Sequence, residues 1–172
     1  MNKLKKIHLL TGGNLGDRQQ NLQAAKQLIT EKIGNVVKAS SLYETAAWGH
    51  VEQPEYLNQA LEVTTELSPM EVLQAIFEIE NALGRTRRNK WEARTMDIDI
   101  LFYDSKVLKT KDLTIPHPLL HRRNFALVPM LEIAPLKKHP VLDKTIEELY
   151  EESEDELDVV LLETEMLATN NP

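Results

Sequence analysis

Apolar positions along the chain change period several times, and each change marks an element. Residues 5–11 alternate and predict a first strand, with a turn over residues 12–17 (GGNLGD) behind it. Leu22, Ala25, Leu28, Ile29 and Ile33 then recur at helical spacing; Asp17 with Gln20 suits the start of that helix and Gly34 its stop. Residues 36–43 predict a second strand, and residues 44–55, which hold Thr45, Trp48, Gly49 and Pro54, a turn-rich loop. Residues 56–67 alternate for a long way, with Leu57, Leu61, Val63, Thr65 and Leu67 on one parity. Ser68, Pro69 and Glu71 then give a cap, a proline at the first helical position and an acid three residues on. That second helix uses Val72, Leu73, Ile76, Phe77, Ile79 and Leu83, and Gly84 ends it.

Residues 94–103 (RTMDIDILFY) return to period two, with Met96, Ile98, Ile100 and Phe102 on one parity and Asp97, Asp99 and Leu101 on the other. The order β-α-β-β-α-β predicts an α+β, ferredoxin-like fold, an antiparallel sheet with helices on one face. Beyond it come a turn at Asp104 and Ser105, an extended piece over 113–116, and short helical pieces around 119–132, where Pro129 limits any single helix. Thr145 and Glu148 suit a last capped turn before the acidic run 147–158. Residues 1–150 are expected to form one domain, and 151–172 an acidic extension rather than a second domain.

The D-x-D strand carries the first chemical suggestion. Same-face side chains on a strand lie roughly 6–7 Å apart, so Asp97 and Asp99 stand side by side. Two ionised carboxylates that close repel unless a cation joins them, and their hard oxygens suit Mg²⁺. Alone, such a pair reads more readily as two solvated aspartates on an exposed sheet face. Directly upstream, however, residues 84–94 gather Arg85, Arg87, Arg88, Lys90 and Arg94 in a chain whose net charge is −7. Cations running into a carboxylate pair are the usual equipment for a polyanion handled by metal and arginine together, as in phosphoryl transfer.

Composition narrows the setting. The 172 residues are 42% hydrophobic and 27% charged, ordinary for a globular domain. No cysteine is present, which removes disulfides, thiolate chemistry and Cys-based zinc sites. No apolar run approaches the roughly 20 residues of a membrane span, and the apolar stretch 7–10 is too short for a signal peptide, so a cytoplasmic protein is expected. Net negative charge argues against nucleic-acid or membrane binding by the surface as a whole.

Arg85, Arg87, Trp91, Arg94, Thr95, Asp97 and Asp99, taken in order, resemble the signature of the 6-hydroxymethyl-7,8-dihydropterin pyrophosphokinase family. The GGNLGD turn and the stretches 53–58 (QPEYLN) and 114–117 (TIPH) extend the resemblance over roughly residues 5–150. It implies Mg²⁺-dependent transfer of pyrophosphate from ATP to the dihydropterin, a step of folate biosynthesis. Two Mg²⁺ ions would be held by Asp97 and Asp99, with Arg85 and Arg94 as catalytic cations. Nucleotide contacts are implied for Glu80, Arg87, Trp91, Ile100, Thr114, His117 and Arg123, and pterin contacts for Thr45, Tyr56, Asn58 and Phe125. The partners implied are ATP and the pterin, with no nucleic acid and no membrane, for a monomer. Taken without the resemblance, Tyr56 and Phe125 read as packing residues, His117 as a turn residue and Glu80 as a solvated helix acid. The chain also departs from the family pattern: Glu92 and Ala93 replace a loop glycine and proline, which leaves Lys90 without an assigned part. Ala46, Ala47 and Trp48 reshape a proline-containing segment, and Phe77 replaces a polar residue. An RNA-binding module and a regulatory domain that binds a small ligand without turnover are the rival classes; against the first stand the net charge, the carboxylates beside the basic loop and the absence of an aromatic RNA-binding motif.

Overall fold

The computed structural model of the protein describes residues 3–46, 55–84 and 95–162. Strand β1 (Lys5–Gly13), helix α1 (Arg18–Lys32), strands β2 (Gly34–Ala39), β3 (Tyr43–Thr45) and β4 (Tyr56–Thr65), helix α2 (Pro69–Ala82) and strand β5 (Asp97–Tyr103) follow the expected order, with the second strand divided in two. All pairings are antiparallel: β1 lies between β5 and β4, and β2 and β3 both pair with β4. The division falls at Ser40, whose Oγ accepts the Ala60 N–H (2.9 Å) and donates to the Ser41 carbonyl (2.7 Å). A side-chain hydroxyl thus stands in for a ladder group and lets the strand change course.

Local chemistry fixes both early helices. Asp17 accepts the Gln20 N–H (3.1 Å) at the start of α1. Ser68 and Glu71 form a reciprocal capping box at α2, with Pro69 leading. Gly84 follows α2 with φ +86°, a conformation that side chains disfavour. Apolar stripes of both helices (Leu22, Ala25 and Ile29; Val72, Ile76 and Ile79) pack on Ile7, Leu9, Leu57, Leu61, Val63, Ile98 and Ile100 of the sheet.

The sheet's other face is not bare, contrary to the one-sided arrangement expected. Helix α3 (Asn124–Ile133) lays Ala126, Leu127, Met130 and Ile133 over Leu10, Ala60 and Phe102, and helix α4 (Ile146–Glu152) adds Ile146 and Leu149. α3 continues past Pro129, which lies inside it. The lost N–H costs one helical bond, but the buried stripe on either side of it holds the helix on the sheet. Phe102 also departs from expectation. The β1–β5 register slips between His8 and Leu9, pairing His8 with Phe102 but Leu9 with Ile100. The extra residue, Leu101, reverses the parity, so Phe102 leaves the side of Ile98 and Ile100 and joins the α3 core. There its ring meets His8 and His139 edge-on, at 5.9 and 5.8 Å.

Two further strands, β6 (Leu108–Lys109) and β7 (Thr114–Ile115), form a small separate sheet. The chain extension returns as β8 (Val160–Leu161), paired with β3 at the sheet edge. No helix among the described residues is long and apolar enough to cross a membrane.

Candidate active site

Strand register assembles the site at one end of the α3 face. Gly12 stands opposite Asp97 on one side and Asn58 on the other, and Asn58 stands opposite Tyr43. With strands about 4.8 Å apart, Asp97 and Asn58 lie roughly 10 Å from each other across this row. Gly12 and Gly13, expected in a turn, are the last residues of β1. The reason for glycine at position 12 is close approach: a Cβ there would overlap Asn58 Oδ1. The Asn58 amide therefore lies over Gly12, buried, in the row that ends at Asp97.

Asp97 and Asp99 are half-buried on the same face of β5. Ile98, between them, is held from behind, since its N–H donates to Glu80 Oε2 (2.9 Å). Glu80 is only 2% exposed and belongs to the last turns of α2, so this bond fixes the start of the D-x-D strand against that helix. The Ile100 side chain is buried in the α1/α2 core, so only its backbone can face a ligand. Thr114 is half-buried in β7.

His117 approaches the carboxylates from the segment after β7. Its N–H donates to the Leu101 carbonyl (3.0 Å), and its Nδ1 accepts the Leu119 N–H (3.2 Å). With Nδ1 accepting, the neutral ring carries its proton on Nε2, which lies 4.0 Å from Asp99 Oδ1. That is too long for a hydrogen bond. Burial, with help from the Arg123 charge and against the pull of Asp97, lowers the His117 pKa to about 4. At neutral pH it is an uncharged donor beside two carboxylates. Arg123 places its guanidinium 5.5 Å from the Phe125 ring centroid, a cation–π contact joining a candidate nucleotide residue to a candidate pterin residue.

On the other flank, Thr45 is buried opposite Tyr56 at the end of β3. Arg18 bonds Glu44 Oε2 (2.8 Å) and the Glu55 carbonyl (3.0 Å), clasping the two ends of the intervening loop. Tyr43 Oη donates to Glu132 Oε1 (2.6 Å), and the Ser41 N–H donates to the same carboxylate (3.0 Å). These bonds tie β3 to the last turns of α3; burial and the Glu132 carboxylate push the Tyr43 phenol far above its usual range.

Asp97, Asp99, His117, Asn58 and, on flanking elements, Thr45, Tyr56, Arg123 and Phe125 thus come to one end of the sheet. Arg85, Arg87, Arg88, Lys90, Trp91 and Arg94 lie outside the described residues, as do Ala47 and Trp48. The described chain stops at Gly84 and resumes at Thr95, two residues before Asp97. Gly12, Arg18, Tyr43 and Glu132 escaped sequence reasoning. A glycine pair at a strand end hints at close backbone approach, but the partners of Arg18 and Glu132 are far away in sequence and have no local signature.

The donor set suits Mg²⁺. Two carboxylates on one strand are hard oxygen ligands, and among the described residues no cluster of three or more His, Cys, Asp or Glu forms a complete cage. Magnesium is usually held in this way, by one or two carboxylates with water and substrate phosphate filling its octahedron.

Comparison with known proteins agrees with the signature. The chain is 40% identical over 147 residues to the 2-amino-4-hydroxy-6-hydroxymethyldihydropteridine pyrophosphokinase of Aquifex aeolicus, covering 86% of this chain and 91% of that one. It is 42% identical over 134 residues to the Bacillus subtilis protein of the same name, covering 77% and 79%. Its fold matches a Plasmodium falciparum HPPK-DHPS structure containing pteroate, with a TM-score of 0.71 over 88% of this chain; at 18% identity the likeness concerns the fold. This chain spans 42% of that longer one. A sequence profile described as 7,8-dihydro-6-hydroxymethylpterin-pyrophosphokinase (HPPK) matches residues 8–135, and the chain belongs to that family.

Proposed function

We propose that the protein transfers a pyrophosphoryl group from ATP to 6-hydroxymethyl-7,8-dihydropterin, giving AMP and the pterin diphosphate. One observation carries this reading: a single strand row sets Asp97, the first carboxylate of the D-x-D pair, roughly 10 Å from a buried amide, about the span of a small heterocycle and its hydroxymethyl arm. Asn58 and Thr45 offer hydrogen bonds to the polar edge of the pterin, and Tyr56 and Phe125 offer ring faces to its plane. The hydroxymethyl oxygen bonds to the β-phosphorus as the bridge between the α- and β-phosphorus breaks. AMP keeps the bridging oxygen, and the hydroxyl proton passes to water.

Two Mg²⁺ ions at Asp97 and Asp99 would supply Lewis-acid charge to the triphosphate. The protein's own contribution is positioning and electrostatics. Glu80 fixes the backbone between the two aspartates. His117, neutral and with Nε2–H toward the site, donates a hydrogen bond to phosphate without adding a charge. Arg123 supplies a cation beside Phe125, and Arg85 and Arg94 are assigned the remaining phosphate charge by their place in the signature. We assign the activity to a cytoplasmic monomer.

Product analysis tests the reading. Incubation with ATP, Mg²⁺ and the dihydropterin should give AMP and a diphosphorylated pterin in equal amounts. Formation of ADP, or no turnover, would reject it.

A further inference from the structure

The chain beyond the family-matched span returns to the pterin side of the site at two points. After α4 ends at Glu152, Asp155 Oδ2 accepts the Asn124 N–H (2.8 Å) and its Oδ1 accepts the Leu157 N–H (3.0 Å). The Asn124 amide answers by donating to the Asp155 carbonyl (3.3 Å). Asn124 is the first residue of α3, between Arg123 and Phe125, and no side chain of its own segment caps this helix. Further on, Val160 and Leu161 pair with Glu44 and Tyr43, and the Leu162 N–H donates to the Leu42 carbonyl (2.8 Å). The next residue of β3 after this pairing is Thr45.

One segment therefore joins the start of α3, which carries Phe125, to the strand that carries Thr45. Five chain steps separate Asp155 from Val160 and reach at most about 18 Å, so the two attachments limit each other's movement. Burial contributes little on the outside. Val160 is 56% exposed and Leu161 48%, and an open cleft of about 1050 Å³ separates residues 152–157 from His121 and Arg122. The hydrogen bonds hold the segment, with Leu162 packed on the core. The far end of α3 is pinned independently by Glu132 to Ser41 and Tyr43. Its first turn, at Phe125, is held by Ala126 and Leu127 in the core and, at the Asn124 N–H, by the returning chain.

We propose that residues 153–162 form a strap that sets the spacing between the two walls of the pterin pocket, with Asp155 as its positioning residue. The strap rests on the assignment of Phe125 and Thr45 to the pterin. It touches no reacting atom, so its signature is a selective change in pterin affinity rather than a loss of chemistry.

Steady-state kinetics on the full chain test it. Asp155→Ala removes the cap and should raise the pterin KM roughly five- to tenfold, with the ATP KM moved less than about twofold and kcat nearly kept. Val160→Pro attacks the other attachment at an exposed position and should shift the pterin KM in the same direction. It carries the test alone if Asp155→Ala folds poorly. Asp155→Asn keeps one accepting oxygen and should fall between wild type and Asp155→Ala. A lowered Tm with an unmoved pterin KM in either folded variant overturns the strap, and so does an equal rise in both KM values. Wild-type protein that makes no AMP overturns the pterin reading itself and the strap with it; active wild type with unmoved variants overturns the strap alone.

Discussion

The sheet's two faces are built from the same strands and serve different ends. On the α1/α2 side, Ile7, Leu9, Leu57, Leu61 and Val63 meet helix residues in one apolar layer. On the α3 side the apolar layer stops partway. Leu10, Ala60 and Phe102 are covered; Asp99 stands opposite Leu10 at the edge of that layer, and Gly12, Asn58 and Asp97 continue the same strands one row beyond it. The first face gains stability from area removed from water. The second gives up part of that gain to keep polar groups in a fixed register. Substitutions on the two faces should therefore separate stability from activity.

The largest effect is expected at the carboxylates. Asp97→Asn and Asp99→Asn should each lower kcat by about a hundredfold or more, since each would delete a charged ligand of the proposed metal site, while thermal melting stays within a few degrees of wild type. Near-normal rates in both would place the metal elsewhere. Leu61→Ala, on the opposite face, should do the reverse. It empties a fully buried position and should cost about 2–5 kcal/mol in chemical denaturation, with KM values of the remaining folded protein nearly unchanged. If it instead altered the pterin KM selectively, the faces would not be independent.

A smaller effect comes with pH. Burial first, with Lys137 and Lys6 assisting, lowers the His8 pKa from 6.5 to about 4 despite the bond from its Nε2 to Glu62 (3.0 Å). His117 is lowered to about 4 as well. Both folded pKa values lie below the unfolded one, so the unfolded chain takes up protons first as pH falls. The stability these two residues contribute is full above about pH 6.5 and declines toward about pH 4. Denaturation midpoints measured between pH 7.5 and pH 5 would reveal it on a gradient of about one pH unit per step; a flat profile would mean that neither imidazole is held neutral.

What could be read from the sequence follows from how locally each feature is encoded. The Ser68–Glu71 box, Pro69 and Gly84 act within a few residues, and α2 has the bounds they imply. The D-x-D pair needed only strand periodicity. Strand periodicity alone puts Phe102 on the wrong face, because a bulge shows only in the pairing of two strands. Pro129 breaks less than its local chemistry implies, because the packing that carries α3 past it comes from distant strands. Gly12 reads as turn chemistry from its neighbours alone; its reason is Asn58, 46 residues away and adjacent only through strand pairing. The strap was invisible, because an acidic run gives no sign that one of its members caps a helix 31 residues earlier.

Separate KM values for the two substrates in Asn58→Ala test most directly that one strand row divides the work between pterin and phosphate. Asn58 is buried over Gly12 at the end of the row away from Asp97. Its removal should raise the pterin KM about tenfold or more, the usual scale for losing a buried hydrogen bond to a ligand, and move the ATP KM less than about twofold. Equal shifts in both KM values, or a change confined to ATP, would contradict the division.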